Sequence, residues 1–257
     1  MDKSLENKIK NDILKSGFPL EINTSMVLNK NNWHVVNNSR YYDDEKKNYG
    51  EIDIIATKKH PDYSNVNNVL IVECKKYHEG EWVFFKQDKI SINVFNLNIA
   101  ESGKKLSSYN WFNTNMIKNH YYSKNSMYTY YIVPHSKGHN EINEKKSQMI
   151  YNAISQVVNA LIFYLNRDSE ILDKNNINEI SLIYPIIVFD GPLYSAFIKD
   201  DDIELKEENH IQLSFSLQLK KPMEIQWDLK NRKIIKQKDI IIDIVKKEYL
   251  PEFLQNF

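Results

Sequence analysis

Apolar positions in the first 31 residues follow helical spacing and predict two helices. The first helix covers Lys3–Lys15, and Gly17 ends it, because glycine is common just beyond a helix. The second helix has Pro19 in its first turn, where a missing N–H costs little, and runs to about Asn31. The stripe of the first helix consists of Leu5, Ile9 and Ile13, and the inward-facing residues of the second are Leu20, Val27 and Leu28.

Three stretches of extended character follow, and polar segments separate them. The first runs from Trp33 to Tyr42 and leads into the polar run DDEKKN. The second is GEIDIIATKK at 50–59, and the turn segment HPDYSNVNN separates it from NVLIVECKKYH at 68–78. The predicted order is therefore helix, helix, strand, strand, strand.

The clearest helix in the chain is predicted over Ser147–Leu165, because apolar residues recur there at helical spacing. A buried strand follows at 180–190 and ends before Gly191. Pro185 cannot donate a hydrogen bond to a neighbouring strand, so its position predicts a sheet edge or a bend. The apolar stripe of the helix is Ile150, Ala153, Ile154, Val157, Val158, Leu161 and Leu165, and its opposite face carries Gln148, Asn152, Gln156 and Asn159.

The tail of the chain continues with strands. HIQLSFSLQL at 210–219 alternates apolar and polar residues, which predicts one buried and one wet face. DIIIDIV at 239–245 is a second extended stretch, and a short helix is expected at about Lys246–Gln255. Repeats and flexible linkers are both missing from the sequence, so we expect one α/β domain over 1–257. Its core covers about 3–76 and 147–190, with an insertion at about 79–145 and a β-rich C-terminal extension at about 200–257.

Composition limits the possible classes of protein. The single cysteine, Cys74, excludes an internal disulfide and a multi-cysteine metal site, which favours a reducing compartment such as the cytoplasm. The sequence contains no run of roughly 18 apolar residues, so no membrane span is predicted. The 34 basic residues balance the 34 acidic ones, so the chain has no overall positive charge that would favour the binding of nucleic acid. The six glycines form no phosphate-binding loop, which argues against ATP hydrolysis.

Two of the predicted strands bring ionisable groups together. Residues two apart in a strand share a face, so Glu73 and Lys75 project together and Cys74 points into the core. Asp53 lies on the preceding strand between isoleucines, in an apolar segment where a charge is costly unless it is used. The pattern predicts two carboxylates and one ammonium on neighbouring strands.

Such a set suits the cleavage of phosphodiesters. Two carboxylates bind a hard divalent cation through oxygen and leave positions for water and a phosphate oxygen, which fits Mg²⁺ or Mn²⁺ better than zinc. The Cys74 backbone carbonyl is a further candidate ligand, and Lys75 would orient water or stabilise the transition state. The competing interpretation is an ion-paired strand edge with a purely structural role.

A resemblance strengthens the catalytic interpretation. The runs GFPLE at 17–21, GEIDIIA at 50–56 and VLIVECKK at 69–76 resemble the restriction-endonuclease-like PD-(D/E)XK nuclease superfamily, with Ile52 where the motif name has proline. The resemblance covers roughly the first 76 residues. It implies a mixed central sheet flanked by helices, in the order helix, three strands, helix, strand.

The resemblance also implies roles for individual residues. Asp53 and Glu73 would be metal ligands, Lys75 the catalytic lysine, and Glu21 an acid on the first core helix that supports the metal or water. An acid near a helix N-terminus is also favoured by the helix dipole alone, so Glu21 has a structural alternative. Possible nucleic-acid contacts are Gln148 and Gln156 on the second core helix and Lys76 beside the motif.

The function implied is a Mg²⁺- or Mn²⁺-dependent endonuclease in prokaryotic defence or DNA processing, cytoplasmic and not membrane-bound. DNA is the expected substrate, with RNA as a second possibility. A homodimer, or a subunit of a larger defence complex, is expected, because one site cuts one strand at a time. The alternative is a nuclease-fold protein without catalysis that binds nucleic acid or serves in assembly; its binding would be indifferent to Asp53→Asn.

Overall fold

The computed structural model describes residues 3–43, 46–86, 98–101, 120–124, 127–133, 144–174, 179–199, 202–223 and 235–257. Its helices are α1 (Lys3–Lys15), α2 (Phe18–Lys30), α3 (Glu144–Lys174) and α4 (Leu250–Phe253), with 3-10 turns at Tyr121–Lys124, Lys247–Tyr249 and Leu254–Asn256. Its strands are β1 (His34–Asp43), β2 (Asn48–Lys59), β3 (Val66–Lys76), β4 (Trp82–Lys86), β5 (Asn98–Glu101), β6 (Met127–Ile132), β7 (Ile180–Asp190), β8 (Leu193–Lys199), β9 (Asp202–Glu207), β10 (His210–Met223) and β11 (Ile235–Lys246).

Within the described residues, eleven strands form one mixed sheet. Ten of them follow the order β1-β2-β3-β7-β11-β10-β6-β4-β8-β9, and β5 pairs with β7. β1, β2 and β3 form an antiparallel meander, whereas β7 is parallel to both β3 and β11. The prediction of a mixed α/β fold with a central sheet flanked by helices is confirmed.

Helices cover both faces of the sheet. α3 packs on one face, where Ile154 and Leu161 meet Ile71 and Ile187 in a common core. α2 packs on the other face, where Leu28 lies in a second core with Val72. The inward faces predicted for these two helices are confirmed, and α3 extends beyond its predicted range at both ends.

The apolar stripe predicted for the first helix is exposed. α1 has the predicted range, but its stripe residues Leu5, Ile9 and Ile13 are 51%, 41% and 53% exposed. The apolar pattern therefore identified the helix and not a buried face. The model has no helix that is long and apolar enough to span a membrane in the described part of the chain.

The prediction that Pro185 marks a sheet edge is wrong. β7 is a central, buried strand, and Pro185 itself pairs in register with Ile71 of β3. On the other side of β7, β5 pairs with residues 180–183 and β11 with residues 186–189. On that side of β7, Pro185 lies in the gap between the two partners, where no ladder pair includes it.

The strands outside the predicted core belong to the same sheet. β5, in the predicted insertion, and β11, in the predicted extension, both pair with the core strand β7. β10, β6, β4, β8 and β9 continue the sheet beyond β11. The described parts of both segments therefore enlarge the central sheet.

Candidate active site

The alternation of β3 sends neighbouring side chains of its VECKK segment to opposite faces. Glu73 and Lys75 point toward α3, where the Lys75 ammonium meets Gln156. Cys74 packs in the core on the α2 side, with its Sγ 3.7 Å from the hydroxyl oxygen of Thr24. Burial raises the pKa of the Cys74 thiol well above its usual value. Cys74 is therefore a neutral core thiol, as its strand position predicts.

The pairing between β2 and β3 ends immediately before the two carboxylates. The last regular pair is Ile54 with Val72, and the same register would place Asp53 opposite Glu73. Beyond that pair, the backbone N–H of Cys74 donates a 2.7 Å hydrogen bond to Oδ2 of Asp53. This bond holds the Asp53 carboxylate at the point where the backbone ladder stops.

The pleat of β2 changes at Asp53. In the β1–β2 ladder the pair of Asn38 with Asp53 is missing, although the pairs on both sides keep one register. Asn38 has a φ of 52°, in the left-handed region that asparagine tolerates. Ile52 belongs to the core beside α3 and Ile54 to the core beside α2, whereas regular alternation would put both on one face. Asp53 thus lies at a local twist that takes its carboxylate out of the regular pleat.

Lys75 lies between two oxygen acceptors. Its Nζ donates to Oε1 of Glu73 at 2.5 Å and to Oε1 of Gln156 at 3.1 Å. The Lys75 side chain is 25% exposed, so the ammonium can be reached from solvent. An ammonium has three donors, and a ligand that arrives from solvent can meet one of them.

Glu73 is the most deeply buried member of the set, with 2% of its surface exposed. Burial raises the pKa of its carboxyl to about 7; Lys75 opposes the rise and Asp53 adds to it. Its second oxygen, Oε2, is buried and has no hydrogen-bond partner within the described structure. A buried carboxylate oxygen without a donor is costly, and a bound cation would satisfy it.

Two further carboxylates lie near this pair. Burial raises the pKa of Glu21 on α2, and the charges of Asp53 and Glu51 raise it further, against the effect of Lys75. Burial also raises the pKa of Asp53. The hydrogen bond from the Cys74 N–H opposes this rise, and the charge of Glu51 adds to it. The predicted site residues Glu21 and Asp53 are therefore close enough for their charges to interact. Glu51, which is not among the predicted site residues, also raises the pKa of both carboxyls.

Of the three predicted nucleic-acid contacts, only Gln156 touches a site residue. Gln148 is exposed and donates to Asn152, one turn along α3, at 3.0 Å. It lies eight residues before Gln156, which corresponds to about 12 Å along a helix. Lys76 donates to the backbone carbonyl of Leu14 at 2.6 Å, on the side of α1.

No family model, curated protein or solved structure matches this chain. The function must therefore be inferred from the residues of the site.

The donor atoms fit a hard cation. Within the described ranges, no group of three or more His, Cys, Asp or Glu side chains is placed to hold a metal. A cation bound by Asp53 and Glu73 would therefore need further oxygen ligands. The N–H and C=O of one residue in an extended strand point to the same side, so the Cys74 carbonyl is on the β2 side of β3, like the N–H that bonds Asp53. This oxygen-only set, with the orphaned Oε2 of Glu73, fits Mg²⁺ or Mn²⁺.

Proposed function

We propose that this chain is a Mg²⁺- or Mn²⁺-dependent endonuclease that hydrolyses phosphodiester bonds of DNA. The observation that carries the proposal is the convergence of Asp53, Glu73 and Lys75 where the β2–β3 ladder ends. An ion-paired strand edge would explain the Lys75–Glu73 bond. It would not explain why Oε2 of Glu73 is buried without a donor.

The arrangement of the elements supports the same proposal. The order α2, β1, β2, β3, α3, β7, with β1-β2-β3-β7 adjacent in the sheet, is the order expected of a PD-(D/E)XK core. α3 lies between β3 and β7 in the chain and packs on one face of these parallel strands. A fold hosts many functions, so the topology supports the assignment only together with the site.

The proposed roles follow from the positions of the oxygen atoms. Asp53 and Glu73 would hold the cation, with the Cys74 carbonyl as a third ligand and Glu21 supporting it or its water. A divalent cation supplies charge for the phosphate and activates water. The twist at Asp53 and the bond from the Cys74 N–H hold one ligand in place before a cation binds, which reduces the cost of organising the site.

Lys75 would act on the substrate side of the site. Glu73 and Gln156 hold its ammonium by two hydrogen bonds. Its remaining donor would orient the attacking water or stabilise charge on the phosphate in the transition state. The proposed setting is cytoplasmic defence or DNA processing, as a homodimer or as a subunit of a larger complex.

The test is a cleavage panel with supercoiled plasmid, single-stranded DNA and RNA, each with Mg²⁺, Mn²⁺ or EDTA. Asp53→Asn keeps an oxygen for the Cys74 N–H and removes the charge, so we expect a loss of at least about 100-fold with the fold intact. Asp62→Asn, on an exposed turn, is the matched control and should keep wild-type activity.

The panel also separates the alternative. Cleavage in EDTA, or less than a tenfold loss in Asp53→Asn, would contradict the proposal. If wild-type protein cuts no substrate and binds DNA equally well with Asp53→Asn, the chain is a non-catalytic nucleic-acid-binding or assembly module.

Gln156 offers a second test, of how Lys75 is held. Gln156→Met keeps the length of the side chain and removes the acceptor, so Lys75 would lose one of its two bonds. We expect kcat to fall roughly tenfold with little change in KM, because the lysine is displaced from the reacting phosphate. Gln255→Met, the same change at an exposed glutamine near the C-terminal turn, should leave both constants unchanged. Equal effects of the two substitutions would show that the contact of Gln156 with Lys75 adds nothing to catalysis.

A further inference from the structure

The outer surfaces of α1 and α2 carry large apolar side chains in solvent. On α2 this surface is opposite Leu20 and Leu28, which are buried against the sheet. We call it the α1–α2 apolar face. Its members, each 41–63% exposed, are Leu5, Ile9, Ile13, Leu14, Phe18, Ile22 and Met26.

α1 needs a partner for physical reasons. No residue from Ser4 to Lys15, the part of α1 whose side chains are described, is buried. A helix of 13 residues is marginal in water by itself, and most helices gain their stability from packing an apolar face. The exposed stripe of α1 therefore predicts that something covers it.

The size of the apolar face corresponds to a protein interface. The largest apolar patch on a typical monomer covers about 300–600 Å². The seven side chains leave on the order of 700 Å² in solvent, close to the roughly 800 Å² that each partner buries in a standard interface. One complementary surface of equal size is thus sufficient to cover it.

The geometry of the face points to a second copy of this chain. Leu5, Ile9 and Ile13 follow each other at intervals of four residues, and so do the apolar residues on the outside of α2. Ridges at this interval interdigitate with ridges of the same kind in the commonest class of helix packing. A two-fold axis places identical ridges against each other, so the face is complementary to itself.

We propose that a second copy of this chain covers the α1–α2 apolar face in an isologous dimer. The rim carries both signs of charge, with four lysines and two acidic residues on α1, so the size and the ridges of the face, rather than its charge, indicate a protein partner. Glu6 pairs with Lys10 at 2.6 Å, and Asp12 lies on the same helix.

The inference deepens the proposed function, which expects a homodimer or a larger complex, by assigning the surface through which two copies meet, and its test does not depend on cleavage. Ile22 adjoins Glu21, so a contact through α2 would hold two candidate sites in one fixed two-fold relation. That relation is the one required to cut both strands of a duplex in a single encounter.

The test is sedimentation velocity of the full chain from about 1 to about 100 µM, because dimerisation follows mass action. We expect a wild-type dimer, and we expect Ile9→Lys with Ile13→Lys to raise the dissociation constant at least about 100-fold. The control is Ile198→Lys with Ile203→Lys, a cross-strand pair on β8 and β9 that is 63% and 57% exposed. It should dimerise like wild type.

Cysteine cross-linking gives a second measurement. Cys74 is buried, so the single substitutions Leu5→Cys, Ile9→Cys and Ile13→Cys would report contacts near the axis with little background. We expect a disulfide-linked dimer from at least one of them and none from Ile198→Cys. A wild-type monomer at about 100 µM would overturn the proposal, as would equal effects of both lysine pairs. A monomer that co-sediments with anionic phosphatidylserine vesicles would assign the face to a membrane and also overturn it.

Discussion

Replacing Glu73 by Gln is expected to reduce metal-dependent cleavage at least about 1,000-fold and to make the metal-free protein more stable. The loss of activity follows because a cation at the site would lose a charged ligand. The gain in stability follows because Glu73 is 2% exposed and its Oε2 has no donor in the described structure. A buried charge is a liability until a cation offsets it.

The gain in stability should depend on pH. The unfolded carboxyl titrates near 4.5 and the folded one at about 7, so the folded protein holds the proton more tightly. Below pH 4.5 both states are protonated and the charge costs nothing. The free energy of unfolding of the wild type therefore decreases as pH rises from 4.5 to about 7. The decrease reaches about 3 kcal/mol if the whole difference in pKa is realised.

Urea unfolding at pH 4.5 and pH 8 in EDTA tests both statements. We expect Glu73→Gln to exceed the wild type by about 2 kcal/mol at pH 8 and to match it at pH 4.5. Added Mn²⁺ should stabilise the wild type and not the variant. A variant that is less stable than wild type at pH 8 would show that Glu73 serves mainly as the structural partner of Lys75.

The second large effect is expected at Asp243 on β11, two strands away from β3 in the sheet. Asp243 is fully buried on β11 and accepts hydrogen bonds from the Tyr121 hydroxyl at 2.7 Å and Gln212 Nε2 at 3.0 Å. His210 Nε2 lies 2.7 Å from Oδ1 of Asp243, the oxygen that also accepts from Gln212, and makes an ion pair with it when the imidazole is protonated. One carboxylate thus joins β10, β11 and the 3-10 turn at Tyr121–Lys124.

Asp243→Ala should lower the free energy of unfolding by about 3–5 kcal/mol, because it leaves several buried donors without an acceptor. The melting temperature should fall by about 10 °C in a chain of this size. Asp239→Ala is the control, since Asp239 is exposed on the same strand and pairs only with Ser216 among the bonds described for it. It should cost less than about 1 kcal/mol. Equal losses would show that the network around Asp243 adds nothing beyond an ordinary strand position.

The parts of the fold that were predictable from sequence are those with local signals. The period of α3, the meander of β1 to β3 and the strand at β7 follow from spacing over a few residues. The position of β11 beside β7 was not predictable, because pairing between distant strands leaves no local period. Pro185 was misread for the same reason: the gap between β5 and β11 that tolerates it is a property of the assembled sheet.

The features of the candidate site also fall into those with a local signal in the sequence and those without one. Glu73 and Lys75 share a face because of simple alternation, and Asp53 is near them because the two strands are neighbours. The twist at Asp53 depends on Asn38 across the ladder, and the contact of Gln156 depends on how α3 crosses the sheet. Neither has a signature in the residues next to it.

The strand order has a consequence for how the protein is made. β11 lies between β7 and β10, but the ribosome releases it after both. Until then β7 presents an unpaired edge along residues 186–189, in a segment of almost uninterrupted apolar residues. A nascent chain that has already formed the candidate site therefore still carries an aggregation-prone edge. A chain truncated before β11 should accumulate in inclusion bodies or bound to chaperones, with its candidate catalytic residues present and its sheet open.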